Sequence, residues 1–173
     1  MLTAFIMGLS GPELTSTEAG VLRRARPCGI ILFARNIVSP DQLRRLTAEA
    51  RAAIGSDQVM ILIDQEGGRV QRLRPPHWRS LPPGAAYGRL FTTDPVGAIR
   101  AARLVAHLMA AELRAVGINT DCAPVLDVPV AGSHDVIGDR AYGTAPAQVA
   151  ALGRAVAEGL IAGGVLPVIK HIP

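Results

Sequence analysis

The stretch Ile61-Leu62-Ile63-Asp64-Gln65-Glu66-Gly67-Gly68-Arg69-Val70-Gln71-Arg72 decides how the rest of the chain reads. A short run of apolar residues delivers an acid at its carboxyl end, and two glycines follow. The run is long enough for a strand and too short for a helix. Continuous apolar strands of this kind belong to parallel sheets covered on both faces. This run extends from Val59 to Ile63; similar ones recur at Ala4 to Leu9, Gly29 to Ala34 and Leu166 to Ile169, and a further strand is expected around Ile118 to Ala123.

Helices are expected in the gaps. Thr15 or Thr17 can cap a first helix that runs through Arg26, and Ser39-Pro40-Asp41 opens a second that reaches Ile54. From Asp94-Pro95 to Val116 the apolar positions Ile99, Ala102, Leu104, Val105, Leu108, Met109 and Leu113 keep helical spacing, and Gly117 supplies a stop. A fourth helix is expected from Ala145 to Ala162, ended by Gly163-Gly164. Strict alternation of strand and helix demands right-handed crossovers and a parallel sheet, either doubly wound or closed into a barrel. The connections Gln65 to Thr93 and Ala123 to Thr144 exceed the roughly 2–6 residues of ordinary links, and long loops after strands are where barrel enzymes place their sites. With no internal repeat and no linker, residues 1–173 read as part of a single domain.

Composition narrows the function. At 49% hydrophobic and 18% charged residues the 173-residue chain is globular rather than disordered. No stretch approaches the roughly 18 consecutive apolar residues of a membrane span, so no membrane partner is expected. Seventeen of the 18 basic residues are Arg, scattered along the chain, and only six residues are aromatic. A nucleic-acid surface wants a clustered basic stripe, so no nucleic-acid partner is expected. Cys28 and Cys122 lie far apart without a second thiol nearby, which indicates neither a zinc site nor a disulfide; both are expected as small buried thiols. No metal or organic cofactor is expected. The segment Met1 to Gly11 lacks the basic start of a signal peptide, which points to a cytoplasmic location.

Three constellations carry chemistry. Asp64 stands at the mouth of a sheet or barrel, where it can accept hydrogen bonds from adjacent sugar hydroxyls, cap a helix, or pair with Arg69 or Arg72. Glu66 is expected to point away from Asp64, so the two are not read as a catalytic pair. Asp121 and Asp127 flank the end of the fourth strand, and Asp121 and Asp139 are expected in loop-ordering ion pairs with Arg. The fixed donor fork of Arg140 suits either a loop carbonyl or a ligand oxygen. Lys170, the only lysine, and His171 close an apolar strand and can meet one ligand only if the chain turns there. Asp64, Arg140 and Lys170 thus converge from three elements on one face.

The runs GIILFARN (Gly29 to Asn36), IDQEGGRVQR (Ile63 to Arg72), DCAPVLDV (Asp121 to Val128), VIGDRAYG (Val136 to Gly143) and KHIP (Lys170 to Pro173) resemble the bacterial β-N-acetylglucosaminidases of glycoside hydrolase family 3, in order and over the whole chain. The resemblance implies an α/β fold, the (β/α)8 TIM barrel, of which this chain holds about the first five strands. It also implies removal, with retention, of terminal β-linked N-acetylglucosamine from anhydromuropeptide fragments in cytoplasmic peptidoglycan recycling. Asp64, Arg72, Arg140, Lys170 and His171 are implied as substrate-binding residues.

The family's nucleophile and acid/base follow the KHIP run, so no catalytic residue is expected within the chain and the chain alone is expected to be inactive. A barrel takes about 250 residues. Five of its strands would leave the one at Leu166 to Ile169 with an unpaired apolar edge. The chain is therefore expected to be the N-terminal part of a longer enzyme, its partner the remainder of its own barrel. The alternatives are a non-catalytic half-barrel that binds an amino sugar, and a β-glucosidase-type member of the same family.

Overall fold

The computed structural model describes residues 1–132 and 134–171, so Ile172 and Pro173, the end of the KHIP run, lie outside the described residues. The apolar runs form five strands: β1 (Thr3–Gly8), β2 (Pro27–Leu32), β3 (Met60–Ile63), β4 (Thr120–Asp121) and β5 (Leu166–Pro167). Helices α1 (Ser16–Ala25), α2 (Pro40–Ile54), α3 (Gly84–Phe91), α4 (Pro95–Ala115) and α5 (Pro146–Ala162) fill the connections. All strand pairs are parallel, and their order in the sheet is β1-β2-β3-β4-β5. A doubly wound sheet reverses direction at a switch point; an unbroken progression of neighbours is the winding of a barrel. The choice that the strand–helix alternation left open is thereby made for the barrel.

Local chemistry sets the boundaries. Thr15 and Glu18 form a reciprocal capping box at α1, and Arg26 closes that helix in a left-handed conformation. Ser39 accepts a hydrogen bond from the Gln42 amide with Pro40 at the first turn of α2, and Asp94 caps α4 through Gly97. The core runs through Ile30, Leu32, Ile61 and Ile63 of the sheet and Leu22, Leu43, Leu46, Ile54 and Leu113 of the helices.

Several expectations need correction. The strand β1 is apolar but mostly exposed, with Phe5 and Ile6 at 38% and 44%, because among the described residues it is an edge of the sheet with a neighbour on one side only. At the other edge Leu166, Val168 and Ile169 are exposed too, as the expected unpaired apolar edge requires. The inner face of α4 is not the bulky stripe but Ala98, Ala102, Ala106, Met109, Ala110 and Leu113, whereas Leu104 and Leu108 are about half exposed. The reason is close approach: a side chain on Gly159 of α5, or on Gly163 at its C-cap, would collide with Arg103, Ala106 or Ala110 of α4, so only small residues fit at these points of contact. The stretch Gln65 to Thr93 is not all loop, since it contains α3. Both cysteines are half-buried rather than fully buried.

Candidate functional site

The carboxyl ends of β3, β4 and β5 bring the site together. Asp64 directly follows Ile63 of β3, and the bridge Val125↔Lys170 extends the β4–β5 pairing so that Lys170 comes level with it. Lys170 Nζ donates to Asp64 Oδ1 at 2.9 Å and lies 2.5 Å from Glu66 Oε1. Arg72 donates to Asp64 Oδ2 at 3.3 Å. Glu66 takes both arms of Arg140, Nε at 2.8 Å and Nη2 at 2.9 Å. Such a bidentate fork fixes direction as well as charge. The expectation that Glu66 points away from Asp64 is therefore wrong: residues two apart in an extended chain share a face, and both carboxylates reach one ammonium.

Two glutamines that the sequence reading passes over shape the turn that carries these groups. Gln65 is 1% exposed; its Oε1 accepts the amides of Arg72 and Leu73 and its Nε2 donates to the Leu73 carbonyl. This folds Arg72 back over Asp64. Gln71, also buried, donates to the Leu73 and Arg79 carbonyls and accepts the Leu81 amide. Gly67 and Gly68 adopt positive φ angles of 97° and 56° against Pro82 and Pro83, where a side chain would have no room. Their neighbours gave no signal for this, since Gln65 stands between Asp64 and Glu66 and Gln71 between Val70 and Arg72.

Helix α3 positions Arg140. Its Gly84 and Gly88, one turn apart, lie against the main-chain carbonyls of Arg140 and Tyr142, and a Cβ at either would collide with them. The spacing of those two glycines was the signal for a helix packed on backbone. From the first connection, Arg69 donates to Asp139 at 2.8 Å and to the carbonyls of Asp135, Val136 and Ile137. Asp139 thus makes the loop-ordering ion pair expected of it. Asp121 does not: it is fully buried, its Oδ1 accepts the Gln65 amide at 2.9 Å, and its Oδ2 has no partner among the described residues. Strand β4 points it into the sheet's interior, out of reach of any arginine fork.

Charge follows burial. Burial pushes the Asp121 carboxyl well above the usual carboxylate range, and the neighbouring Asp64 and Glu66 add to this against the Gln65 amide and Lys170. At Asp64 burial acts in the same direction, but hydrogen bonds and charge from Lys170, then Arg72, prevail and hold it below that range. Lys170 is raised because Glu66 and Asp64 outweigh its desolvation. Burial pushes the Cys122 thiol up to about 11, leaving it a poor nucleophile. The cluster is thus two carboxylates balanced by Lys170, Arg72 and Arg140, with the buried Asp121 beneath. His171 stands beside it, its Nδ1 at 2.7 Å from Asp127 Oδ2. Of the five expected site residues, Asp64, Arg72 and Lys170 touch directly, Arg140 joins through Glu66, and His171 is held separately by Asp127.

Residues 5–173 match the glycosyl hydrolase family 3 N terminal domain. The chain belongs to glycosyl hydrolase family 3. Within this family it is similar to the beta-hexosaminidase of Xanthomonas campestris pv. campestris strain B100, 42% identical over 168 residues that take in 97% of this chain and 50% of that protein. The beta-hexosaminidase of Methylococcus capsulatus is 45% identical over 165 residues, 95% of this chain and 47% of that one. Among solved structures, native NagZ from Neisseria gonorrhoeae superposes with a TM-score of 0.92 at 36% identity, covering 99% of this chain and 50% of that one. NagZ from the same organism has also been solved in complex with N-trifluoroacetyl-D-glucosamine. This family 3 chain spans about half the length of the curated relatives it matches. No helix among the described residues is long and apolar enough to cross a membrane, and they contain no cluster of three or more His, Cys, Asp or Glu suited to a metal.

Proposed function

We propose that this chain is the sugar-recognising part of a single-barrel β-N-acetylhexosaminidase. Its reaction is removal of terminal β-linked N-acetylglucosamine from peptidoglycan fragments, with retention, in cytoplasmic cell-wall recycling. The observation that carries this reading is the shared contact of Asp64, Arg72 and Lys170. An ionised carboxylate lies beside an ammonium with one proton uncommitted among the described residues, so a hydroxyl placed between them can donate to Asp64 and accept from Lys170. Adjacent sugar hydroxyls present that donor–acceptor pair. The preference for an N-acetylated sugar over a plain β-glucoside is supported by the beta-hexosaminidase relatives and by the amino-sugar complex of gonococcal NagZ.

Binding and bond cleavage are separate tasks. A retaining glycosidase needs a nucleophilic carboxylate and an acid/base on either side of the glycosidic bond. Asp64 and Glu66 both hold Lys170, and Glu66, with both oxygens on Arg140, is 6% exposed; both are committed to ion pairs. Asp121, whose carboxyl burial pushes well above the usual carboxylate range, is sealed from solvent. The chain as described binds, and the remainder of the barrel supplies the reacting groups. The test is hydrolysis of an aryl N-acetyl-β-glucosaminide by the full-length protein that contains this chain, beside the matching β-glucoside. Preference for the amino sugar and a fall of roughly a hundredfold or more in kcat/KM for Asp64→Ala are expected. Equal rates on both substrates, or near-normal activity in the variant, would remove the reading.

A further inference from the structure

The pairing of His171 with Asp127 has no part in the cluster on Lys170. Asp127 lies in the connection after β4, and two main-chain hydrogen bonds fix its level relative to His171: Leu126 donates to the Lys170 carbonyl at 2.6 Å and Lys170 donates to the Pro124 carbonyl at 3.1 Å. The two side chains are brought face to face by the parallel bridge at Val125 and Lys170, and they meet at 2.7 Å through Nδ1 and Oδ2. Asp127 is 24% exposed and His171 47%, so the ring keeps an open side. A carboxylate can only accept, and an imidazole that gives it the Nδ1 proton leaves Nε2 as an acceptor when neutral.

We propose that Asp127 is a positioning residue for His171. It takes the Nδ1–H, fixes the ring plane, and presents Nε2 as a hydrogen-bond acceptor alongside the donor face of Lys170. The ligand group this selects is a hydroxyl that donates to Nε2 while its neighbour accepts from Lys170 Nζ and donates to Asp64. In its ligand the inference rests on the amino-sugar reading; in its geometry it does not. Asp127 also lies near Arg140, whose guanidinium it helps hold in the charged form, so charge and tautomer are separate effects of one side chain.

The experiment uses the full-length protein with 15N-labelled histidine, the His171 signal being identified by its loss in His171→Gln. Without sugar, the ring nitrogen shifts are expected to report Nδ1–H with Nε2 unprotonated above the titration of the ring, and Asp127→Ala to move the signal toward the Nε2–H form. With an aryl N-acetyl-β-glucosaminide, Asp127→Ala is expected to lower kcat/KM about tenfold, mainly through KM, and Asp127→Asn, which can still accept from Nδ1–H, to recover part of that. An Nε2–H ring in the unsubstituted protein overturns the proposal. So does unchanged kcat/KM in Asp127→Ala, whether or not its melting temperature falls. Failure of the unsubstituted protein to cleave the amino-sugar substrate strikes the functional reading instead, and the nitrogen shifts then decide the role of Asp127 on their own.

Discussion

The connections after β3 and β4 are both long, yet they are built on opposite plans. The first, from Asp64 to the start of α4, folds on itself: Gln65 and Gln71, both buried, bind its own amides and carbonyls. The second, from Cys122 to the start of α5, is held at residues 135–140 by groups of the first. Arg69 grips three successive carbonyls and Asp139, Glu66 holds Arg140, and the glycines of α3 press on its backbone. The loop that carries Arg140 is thus ordered by a turn some 70 residues earlier in the chain, and the difference teaches where the site is stiff and where it depends on a clasp.

Arg140→Ala should have the largest effect, because it removes a cation proposed to face the sugar and leaves Glu66 buried with Lys170 as its sole remaining ion-pair partner among the described residues. Stripping one member of a buried pair costs about 3 kcal/mol or more. The expected result is a lower urea midpoint and a fall of orders of magnitude in kcat/KM. Adding Glu66→Gln should restore part of the stability and none of the activity. Full recovery of activity in the double variant would make the pair a structural clasp alone and break the asymmetry between the loops.

Gln65→Ala should rank next. Three hydrogen bonds from a side chain at 1% exposure are lost, leaving the Arg72 and Leu73 amides unpaired. The cost is about 2–3 kcal/mol. Hydrogen exchange should then quicken in both connections, whereas Asp139→Ala should quicken exchange in the second only. Equal spread in both variants would mean that neither loop depends on the other.

Most of the architecture was legible because apolar runs and caps are local signals. Ser39-Pro40, Asp94-Pro95 and Gly117 mark helix ends through their own backbone chemistry, and the structure places the ends within a residue or two. The inner face of α4 was not legible: bulky residues dominate a periodicity count, but which stripe turns inward depends on Gly159 and Gly163, which are distant in sequence. Strand ends that deliver Asp64 and Lys170 were readable as a converging face. The tie between Glu66 and Arg140 was not, since it joins residues 74 apart and strand alternation counted with the wrong parity hides it. That Asp121 is buried without an arginine escaped for a related reason. An acid beside a site suggests an arginine, and only the fold shows that none can reach it.

Asp121 and Asp64 sharpen the comparison at a smaller scale, since two neighbouring carboxyls are displaced in opposite directions. A raised folded value means that the native state holds a proton the unfolded chain releases. The stabilising contribution of Asp121 is then fully present below the ordinary carboxylate value of about 3.9 and is lost as pH rises through its folded value. Asp64 behaves in reverse, contributing above that ordinary value and losing its contribution as pH falls through its lowered one. Asp121→Asn, a neutral mimic that keeps the acceptor for the Gln65 amide, should match the unsubstituted protein in acid and equal or exceed its melting temperature as pH rises. Lower stability of the Asn variant in mild alkali would show that an ionised Asp121 is needed to balance Lys170.

Arg69→Ala carries the smallest thermodynamic effect and the most local one. Its pair with Asp139 is about half exposed on both sides, a setting in which an ion pair is worth about 0–1 kcal/mol and is screened by salt. The three carbonyl contacts add order rather than much stability, because those carbonyls can turn to water when the guanidinium is gone. The melting temperature should therefore hardly move. Proteolytic nicking between Val130 and Ile137 should nonetheless accelerate, and added salt should bring the unsubstituted protein part of the way toward the variant. Arg140 would remain tied to Glu66, so sugar affinity should fall by only a few-fold. A loss as large as that of Arg140→Ala would mean that the clasp at Arg69, and not the fork on Glu66, sets the position of the second loop.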